Sequence, residues 1–299
     1  MAEPYELEYE YEGLSENLPL YLHLTAGAAA GILEHSVVYP LDSIKTRMQV
    51  VGVNRNMIYS TMFDSFRLVS TTEGFRSLWR GISSMIMGAG PAHAVHFAVY
   101  EQAKHTLSFG NTSSQPFVAG VAGGIGTAVS EFLMNPFDVV KQRMQANSST
   151  YSSILSCTRS VFKTEGISAF FVSYPTTLIM NIPLQTIQFG LYEFFKTSFS
   201  DPSEYSPFTH ILSGSLSGAI AAAVTTPIDC AKTLLQTRGI SHDASVRSVN
   251  GIFTSLKAIT STFGFRGLFR GITPRVLSFM PATAISWTTY EYFKYILAQ

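Results

Sequence analysis

The sequence predicts an all-α membrane protein in which six long transmembrane helices form three tandem copies of one helix–loop–helix unit. Charged residues make up only 13% of the 299 residues and hydrophobic residues 46%, whereas roughly a quarter of an average soluble domain is charged. Long apolar stretches are interrupted by Gly, Pro and Ser, as in membrane helices that pack through small residues. Two short motifs each occur three times in the same order, which indicates an internal repeat.

The two motifs define the elements of each unit. The first, Pro-x-Asp-x-x-Lys, begins at Pro40, Pro136 and Pro227. The second, Tyr-Glu-x-x-Lys, follows a further proline and begins at Tyr100, Tyr192 and Tyr290. Between the motifs lie short amphipathic stretches, which end at Gly74, Gly166 and Gly264. Each unit is therefore predicted to be a long helix kinked at proline, a short surface helix that ends at glycine, and a second long helix.

The predicted boundaries are an acidic, disordered tail over residues 1–18 and repeats over residues 19–108, 115–200 and 206–297. The tail contains six glutamates and no Lys or Arg, so the rest of the chain is basic although the net charge is zero. The tail does not resemble a signal peptide or an Arg-rich transit peptide, so any organelle address is expected to be internal. The two cysteines, Cys157 and Cys230, lack metal-site spacing, and neither a disulfide nor a zinc site is expected.

The repeated charges of the first motif are expected to form a ring. Residues three apart on a helix share a face, so each Asp lies beside the Lys of its own motif. Unpaired charges inside a membrane bundle are costly, and each Asp is therefore expected to pair with the Lys of the next unit. The charges are Asp42, Lys45, Asp138, Lys141, Asp229 and Lys232.

A second ring is expected from the Glu and Lys residues of the other motif, at the opposite end of the bundle. These are Glu101, Lys104, Glu193, Lys196, Glu291 and Lys294. Two ionic rings at opposite ends of a cavity suggest two gates that are not stable together, which is what alternating access requires. The alternative is that the rings only hold the helices together.

With these motifs, the chain resembles the mitochondrial carrier family over about residues 18–297. The resemblance implies six tilted helices with pseudo-threefold symmetry around a cavity in the mitochondrial inner membrane, and surface helices on the matrix side. It further implies a monomer that binds cardiolipin, and it implies that the first ring is a matrix gate and the second a cytoplasmic gate. Gln49, Gln145 and Gln236 would brace the matrix gate, and Tyr100, Tyr192 and Tyr290 the cytoplasmic gate. One departure is Leu234, where the other repeats have Arg47 and Arg143.

Within that family the chain most resembles the mitoferrin group of iron carriers. Five multi-residue strings carry this resemblance: residues 30–36, 90–94, 180–183, 225–230 and 280–287. The resemblance also implies substrate contact points on the even-numbered helices, at Gly88, at Met180 with Asn181, and at Ser278 with Phe279.

Positions that break the threefold repeat are candidates for substrate contact, because a small substrate is not threefold symmetric. Five residues before the odd-helix prolines stand His35, Glu131 and Ala222, and two residues after the even-helix prolines stand His93, Gln185 and Thr283. His35 lies seven residues before Asp42 and His93 eleven before Lys104. At about 100° per residue both histidines share the face of the gate residues. They are predicted to point into the cavity.

These candidates favour a transition-metal cation as the substrate. The predicted cavity offers the imidazoles of His35 and His93, the Met180 thioether, the Asn181 amide and the Glu131 carboxylate. Imidazole and thioether suit divalent transition metals, whereas phosphate and dicarboxylate need Arg forks, which these contact points lack. The resulting hypothesis is transport of Fe²⁺ as the substrate, with no bound cofactor.

Several alternatives stay open. The histidines could instead bind a neutral or cationic organic solute by hydrogen bonds, or the chain could be a non-transporting adaptor. His210, near the start of a helix, resembles a mitoferrin position and is either an entrance ligand or a packing residue. His96 is about 80° off the Lys104 face, which favours packing. No nucleophile–base pair or metal-site pattern supports an enzyme, and nothing indicates nucleic-acid binding.

Overall fold

The computed structural model describes residues 36–51, 61–107, 116–146, 151–199 and 207–282. The described residues contain no β-strand. In chain order the helices are α1 (residues 36–49), α2 (Met62–Thr72), α3 (Ile82–Leu107), α4 (Pro116–Ala146), α5 (Ile154–Glu165), α6 (Tyr174–Phe199), α7 (Pro207–Thr237), α8 (Ala244–Arg247), α9 (Ile252–Phe263) and α10 (residues 272–282). Short 3₁₀ turns lie at Phe75–Trp79, Ile167–Phe170, Arg238–Ile240 and Phe265–Phe269.

Four of the long helices contain a proline in their interior, as the motifs predict. Pro91 lies within α3, Pro136 within α4, Pro183 within α6 and Pro227 within α7. A proline removes one backbone hydrogen bond and pushes the helix aside. Each of these helices is therefore continuous in sequence but has a weak point in its middle.

Three short helices connect the long ones at the predicted places. The hydroxyl of Thr61 caps α2 by accepting from the Asp64 amide at 3.2 Å, and the hydroxyl of Ser153 caps α5 by accepting from the Ser156 amide at 3.2 Å. Each is followed by a glycine with positive φ, at 84° for Gly74, 79° for Gly166 and 68° for Gly264. Since other residues rarely adopt this conformation, the glycines end the helices.

The third repeat carries an additional segment that the sequence did not predict. After α7 the chain forms a 3₁₀ turn, Arg238–Ile240, and then the one-turn helix α8. The side chain of Asp243 caps α8 by accepting from the Ser245 amide at 2.9 Å. This segment is short and polar, so it lacks the periodicity from which helices are predicted.

Among the helices α2 to α9, the most extensive contacts join α3 to α4 and α6 to α7. Gly88 of α3 lies against α4, where a Cβ atom on it would come within 2.7 Å of Phe137 Cγ and 2.8 Å of Met134 Sδ. Ser84, one turn earlier, donates a hydrogen bond to the Phe137 carbonyl at 2.9 Å. Small residues thus let α3 and α4 approach closely, as in membrane helix pairs.

Two of the described helical segments are long and apolar enough to cross a membrane, namely Ile167–Phe199 and Phe208–Ile240. The helices α3 and α4 have 26 and 31 residues, more than the roughly 20 that a membrane span needs, but they are more polar.

Candidate functional site: an ionic ring and the polar level beside it

The Asp and Lys residues of the first motif form a closed ring across the three repeats. Lys45 Nζ lies 2.8 Å from Asp229 Oδ2, Lys141 Nζ 3.1 Å from Asp42 Oδ2, and Lys232 Nζ 3.2 Å from Asp138 Oδ2. The pairing of each Asp with the Lys of the next repeat is the one predicted from the spacing. These six residues are called the aspartate–lysine ring below.

The three ion pairs of the ring differ in their surroundings. The Asp229 side chain is only 5% exposed, whereas Asp138 is 20% and Asp42 30% exposed. Asp229 also accepts a hydrogen bond from Gln49 Nε2 at 2.8 Å. The junction between the third and the first repeat is therefore the most buried part of the ring.

The three glutamines of the motif do not all support the ring. Gln49 bonds to Asp229, and Gln145 accepts from the Thr46 hydroxyl at 2.9 Å. Both polar atoms of the buried Gln236 side chain lack a hydrogen-bond partner among the described residues. Its backbone carbonyl instead accepts from Arg143 Nε at 2.9 Å. Among the described residues Gln236 is thus engaged through its backbone, and the prediction that its side chain braces the ring stays a prediction.

A second set of ion pairs, which sequence reasoning missed, fixes the surface helices α2 and α5 to the ends of α1 and α4. Arg47 Nη2 lies 2.8 Å from Glu73 Oε2, and Arg143 Nη2 donates to Glu165 Oε2 at 2.8 Å. The same arginines bond to the next repeat, since Arg47 Nε donates to the Gln145 carbonyl at 2.9 Å. A signal was present in the sequence, because an acidic residue precedes Gly74 and Gly166.

The third repeat has replaced both members of this ion pair by apolar residues. Leu234 stands in place of the arginine and Phe263 in place of the glutamate. Leu234 is 1% exposed and belongs to an apolar cluster with Ile259 and Val51. The junction between the third and first repeats thus packs through an apolar contact where the other junctions use a guanidinium.

A second group of side chains lies near the ring and comes from α4, α6 and α10. It consists of Glu131, Met180, Asn181 and Arg275 and is called the polar level below. Asn181 Nδ2 of α6 donates to Glu131 Oε1 of α4 at 3.2 Å. Met180 is buried, and its Sδ lies 3.9 Å from Nη2 of Arg275 in α10. Two of the predicted substrate residues, Glu131 and Asn181, therefore contact each other between α4 and α6, and a third, Met180, contacts Arg275 of α10.

Arg275 was missed by the sequence analysis, although it is 4% exposed and reaches this level. It forms an ion pair with Asp229 and thereby connects the level to the ring. Its counterparts in the other repeats are Met85 and Thr177. These three residues stand six positions before Pro91, Pro183 and Pro281. A comparison of the repeats at that position would have found Arg275.

The predicted histidines have different environments. His93 lies within α3 and its side chain is exposed. The His96 ring faces Gly126 of α4, where a Cβ atom would approach Nδ1 within 3.3 Å, so the packing interpretation of His96 is supported. His210 Nδ1 lies 2.7 Å from the Tyr192 hydroxyl. His35 lies outside the described residues, as do Thr283, Tyr290, Glu291 and Lys294.

Gly88, expected to be a substrate contact point, is instead placed in a helix contact. The direction of its missing side chain is taken by Phe137 and Met134 of α4. Gly88 also has no side-chain donor atom with which to bind a metal. Among the described residues no three His, Cys, Asp or Glu side chains cluster closely enough to hold a metal ion.

The residues of the second motif lie at the ends of α3 and α6. Lys104 Nζ lies 5.8 Å from the centre of the Tyr100 ring, and Lys196 Nζ lies 5.9 Å from that of Tyr192. The side chains of Glu101 and Lys104 are exposed, whereas Tyr192 is buried. Each lysine thus contacts the tyrosine one turn before it on its own helix.

Comparison with known proteins agrees with this geometry. The family model described as mitochondrial carrier protein matches residues 16–111, 113–203 and 203–299. An uncharacterized mitochondrial carrier of Schizosaccharomyces pombe is 47% identical over 291 residues, which cover 97% of this chain and 95% of that protein. Mitoferrin-1 of Homo sapiens is 44% identical, over 97% of this chain and 87% of that protein. The mitochondrial RNA-splicing protein MRS3 of Saccharomyces cerevisiae is 45% identical, over 96% and 92%.

The family model matches nearly the whole chain in three consecutive segments, in the order of the three sets of motifs. The ion pairs of the aspartate–lysine ring join the first segment to the second, the second to the third, and the third to the first. The chain therefore belongs to the mitochondrial carrier family, and it is a membrane transporter of the mitochondrion and not an enzyme.

Proposed function

We propose that the protein carries ferrous iron, or a closely related divalent transition metal, across the mitochondrial inner membrane by alternating access. The observation that carries the proposal is the hydrogen bond between Asn181 and Glu131, at 3.2 Å, beside the buried thioether of Met180. These side chains stand at positions where the three repeats differ, as substrate contacts should. The similarity to Mitoferrin-1 and to MRS3 supports the same group of carriers.

The donor atoms suit a metal that must bind and leave. A carboxylate and an amide oxygen supply hard ligands, and the Met180 sulfur a soft one. The imidazole of His93 adds a ligand typical of divalent iron, and the imidazole of His35, which precedes α1 in the sequence, is proposed to do the same. His210 is proposed to act at the entrance, next to Tyr192. Because Arg275 is paired with Asp229, its positive charge is compensated near the site.

The aspartate–lysine ring is proposed to be the matrix gate, closed in this structure, with Gln49 and Gln145 as braces. The second motif is proposed to supply the cytoplasmic gate, through Glu101, Lys104, Glu193, Lys196, Glu291, Lys294 and the tyrosines 100, 192 and 290. Six tilted membrane spans, in repeats over residues 19–108, 115–200 and 206–297, would surround the pathway. We further propose that the protein is a monomer in contact with lipid, and that cardiolipin is among these lipids, as expected from the family.

Uptake of Fe²⁺ into liposomes that contain the purified protein tests the substrate. We expect uptake by the wild type, and a loss of about tenfold or more when His93→Ala and His35→Ala are combined. The control is His96→Ala, which removes an imidazole that packs against Gly126 and should retain most of the uptake. Full uptake by the double variant would exclude the histidines as ligands. An absence of Fe²⁺ uptake by the wild type, with uptake of an organic solute, would exclude the metal as substrate.

A charge exchange in the ring tests the gate. Asp42→Lys places two cations at the Asp42–Lys141 contact and should reduce uptake by about tenfold or more, because the closed state loses an ion pair and gains a repulsion. The double variant Asp42→Lys, Lys141→Asp restores the pair in reverse and should recover a large part of the rate. If the double variant is no better than Asp42→Lys alone, pairing is not what the transport cycle needs.

One observation favours a second candidate, a neutral organic solute with hydrogen-bond acceptors. The Arg275 guanidinium, 3.9 Å from Met180 Sδ, provides donors at the level of the proposed site. The same liposomes, offered a mixture of small organic solutes in competition with Fe²⁺, distinguish the two. Inhibition of Fe²⁺ uptake by other divalent metals but not by the solutes favours the metal.

A further inference from the structure

A contact between a histidine and a tyrosine lies far from the aspartate–lysine ring, towards the other end of the long helices. His210 Nδ1 of α7 lies 2.7 Å from the Tyr192 hydroxyl of α6. His210 stands 19 residues before Asp229 in α7, which places it about 28 Å from the ring along the helix at 1.5 Å per residue. Tyr192 stands 12 residues after Met180 in α6, about 18 Å from the polar level. The contact is therefore separate from both the ring and the polar level.

Tyr192 is the more firmly held member of this pair. Its side chain is buried, and Lys196 Nζ lies 5.9 Å from the centre of its ring. A cation on its own helix thus holds the ring, while the hydroxyl contacts α7. His210 is only half-buried near the start of α7, and its ring is tilted by 34° to the Tyr192 ring. Since a buried hydroxyl is costly to leave without a hydrogen bond, the contact fixes the direction of the imidazole.

The position of His210 differs among the three repeats. Seventeen residues before the odd-helix prolines stand His23, Ala119 and His210, of which His23 lies outside the described residues. Tyr100 of α3 is the counterpart of Tyr192, but the helix that follows it, α4, has an alanine at the position of His210. Alanine has no ring nitrogen, so this contact cannot form between the first and second repeats. A position that breaks the repeat in this way is suited to a substrate that is not threefold symmetric.

The choice of ring nitrogen determines how His210 can bind a metal. A neutral imidazole binds a divalent metal through one nitrogen and donates a hydrogen bond from the other. Nδ1 of His210 is the nitrogen next to the Tyr192 hydroxyl, so Nδ1–H donates to the tyrosine oxygen and Nε2 is assigned to the metal. Without the hydroxyl, the proton is distributed over both nitrogens and the ring loses a fixed direction.

We propose that Tyr192 is a positioning residue for His210, which it holds in the tautomer that binds an incoming divalent transition metal through Nε2. The inference rests on the proposed function and deepens it, because it gives Tyr192 a role other than bracing the cytoplasmic gate. His210 makes an early contact with the metal, about 18 Å from the polar level along α6. Tyr192 strengthens this contact by fixing the tautomer and the direction of the ring.

Uptake of Fe²⁺ into liposomes, measured over a series of concentrations, tests the role of Tyr192. Tyr192→Phe removes only the hydroxyl, and we expect KM to rise about tenfold, as is typical when a residue that orients a metal ligand is lost. His210→Asn removes the ring and should raise KM at least as much. The double variant should have the KM of His210→Asn, because Tyr192 acts through the ring. Additive effects of the two substitutions would overturn the proposal.

Tyr100→Phe is the matched variant, because it removes the same hydroxyl from the same motif in the repeat that is followed by Ala119. A contribution of either hydroxyl to the cytoplasmic gate should lower the maximal rate in both variants alike. Only Tyr192→Phe should raise KM. An equal rise of KM in Tyr100→Phe would show that the hydroxyl acts at the gate, and it would overturn the proposal.

Nuclear magnetic resonance measures the tautomer of His210 without relying on transport. The sample is the purified full-length protein with ¹⁵N in its histidine rings, and the probe is Zn²⁺, a diamagnetic ion that binds imidazole. The signals missing from His210→Asn identify His210 among the seven histidines. In the wild type we expect Zn²⁺ to shift Nε2 while Nδ1 keeps its proton, and in Tyr192→Phe we expect this preference to be lost. Binding of Zn²⁺ through Nδ1 in the wild type would overturn the proposal, whether or not the variants fold.

The positioning role and the proposed function fail in different ways. If the wild type takes up no Fe²⁺ and Zn²⁺ leaves the His210 signals unchanged, the metal substrate is wrong, and the positioning role is wrong with it. If the wild type takes up Fe²⁺ and Tyr192→Phe keeps the wild-type KM, only the positioning role is wrong.

Discussion

Nη2 of Arg143 donates a hydrogen bond to Oε2 of Glu165 at 2.8 Å, and this pair fixes the end of α4 to the end of the surface helix α5. The Arg143 side chain is 1% exposed and Glu165 21%. The corresponding positions in the third repeat are Leu234 and Phe263. The contact between a long helix and its surface helix is thus an ion pair in the second repeat and an apolar contact in the third.

This ion pair predicts that the effects of Arg143→Leu and Glu165→Phe on stability are not additive. Arg143→Leu alone leaves Glu165 without its partner, and Glu165→Phe alone leaves a buried guanidinium, so each should lower the apparent melting temperature by about 5 °C or more. The double variant reproduces the residue types of the third repeat and should recover part of the loss. Thermal unfolding of the purified protein measures all four. Additive losses in the double variant would contradict a direct interaction.

The close contact of α3 with α4 gives a prediction with a matched control. Gly88→Ala places a Cβ atom 2.7 Å from Phe137 Cγ, so the helices must separate and stability should fall by about 1 to 3 kcal/mol. Gly90→Ala meets nothing within 4 Å and should be neutral or stabilising by up to about 1 kcal/mol, since alanine favours helix. The melting temperatures of the two variants test the contact. Equal effects would show that the helices do not approach at Gly88.

The long helices and the pairing of the ring could be predicted because both follow from local sequence. A proline, an Asp and a Lys at fixed spacing place the charges on one helix face, and three copies require each charge to find a partner in its neighbour. The absence of a matching pair at Leu234 was equally visible in the sequence. The apolar packing that takes the place of this ion pair could not be predicted, because the cluster around Leu234 contains residues far apart in the chain.

The level beside the ring was predicted only in part, since it depends on how helices are rotated against each other. Glu131 and Asn181 contact each other, whereas Gly88 packs against α4. One residue corresponds to about 100° of helix rotation, so an error of a single position moves a side chain from the cavity to a helix contact. Arg275 was overlooked because its role arises from contacts with α6 and α7, which no motif in α10 indicates.

Cys157 offers a prediction on pH. It belongs to α5 and is fully buried, and burial raises the pKa of its thiol to about 11. At pH 8 the folded protein should therefore react slowly with maleimide, because the thiolate fraction is about one in a thousand. The raised pKa also means that the protonated thiol contributes stability, which is lost as the pH rises from about 9 towards 11.

A variant with Cys230→Ser isolates Cys157 for this measurement, since the chain has two cysteines. Its alkylation at pH 8 should stay slow until the protein is heated and then follow unfolding. Cys157→Ser should abolish the signal and reduce the loss of stability at high pH. Rapid alkylation of the folded protein at pH 8 would show that the thiol is accessible.

The contact between Asn181 and Glu131 separates a structural role of the carboxylate from a role in binding the substrate. Glu131→Gln keeps the size of the side chain and an oxygen that accepts from Asn181 Nδ2, and it removes the negative charge. If the charge attracts a divalent cation, Fe²⁺ uptake at low concentration should fall by about tenfold, with KM raised more than the maximal rate is lowered. The melting temperature should hardly change, because the hydrogen bond is retained. Asn181→Ala removes the hydrogen bond and one proposed neutral ligand but keeps the charge, so its effect on KM should be smaller than that of Glu131→Gln. The reverse order would indicate that Glu131 acts by holding α6 to α4 and not by attracting the cation.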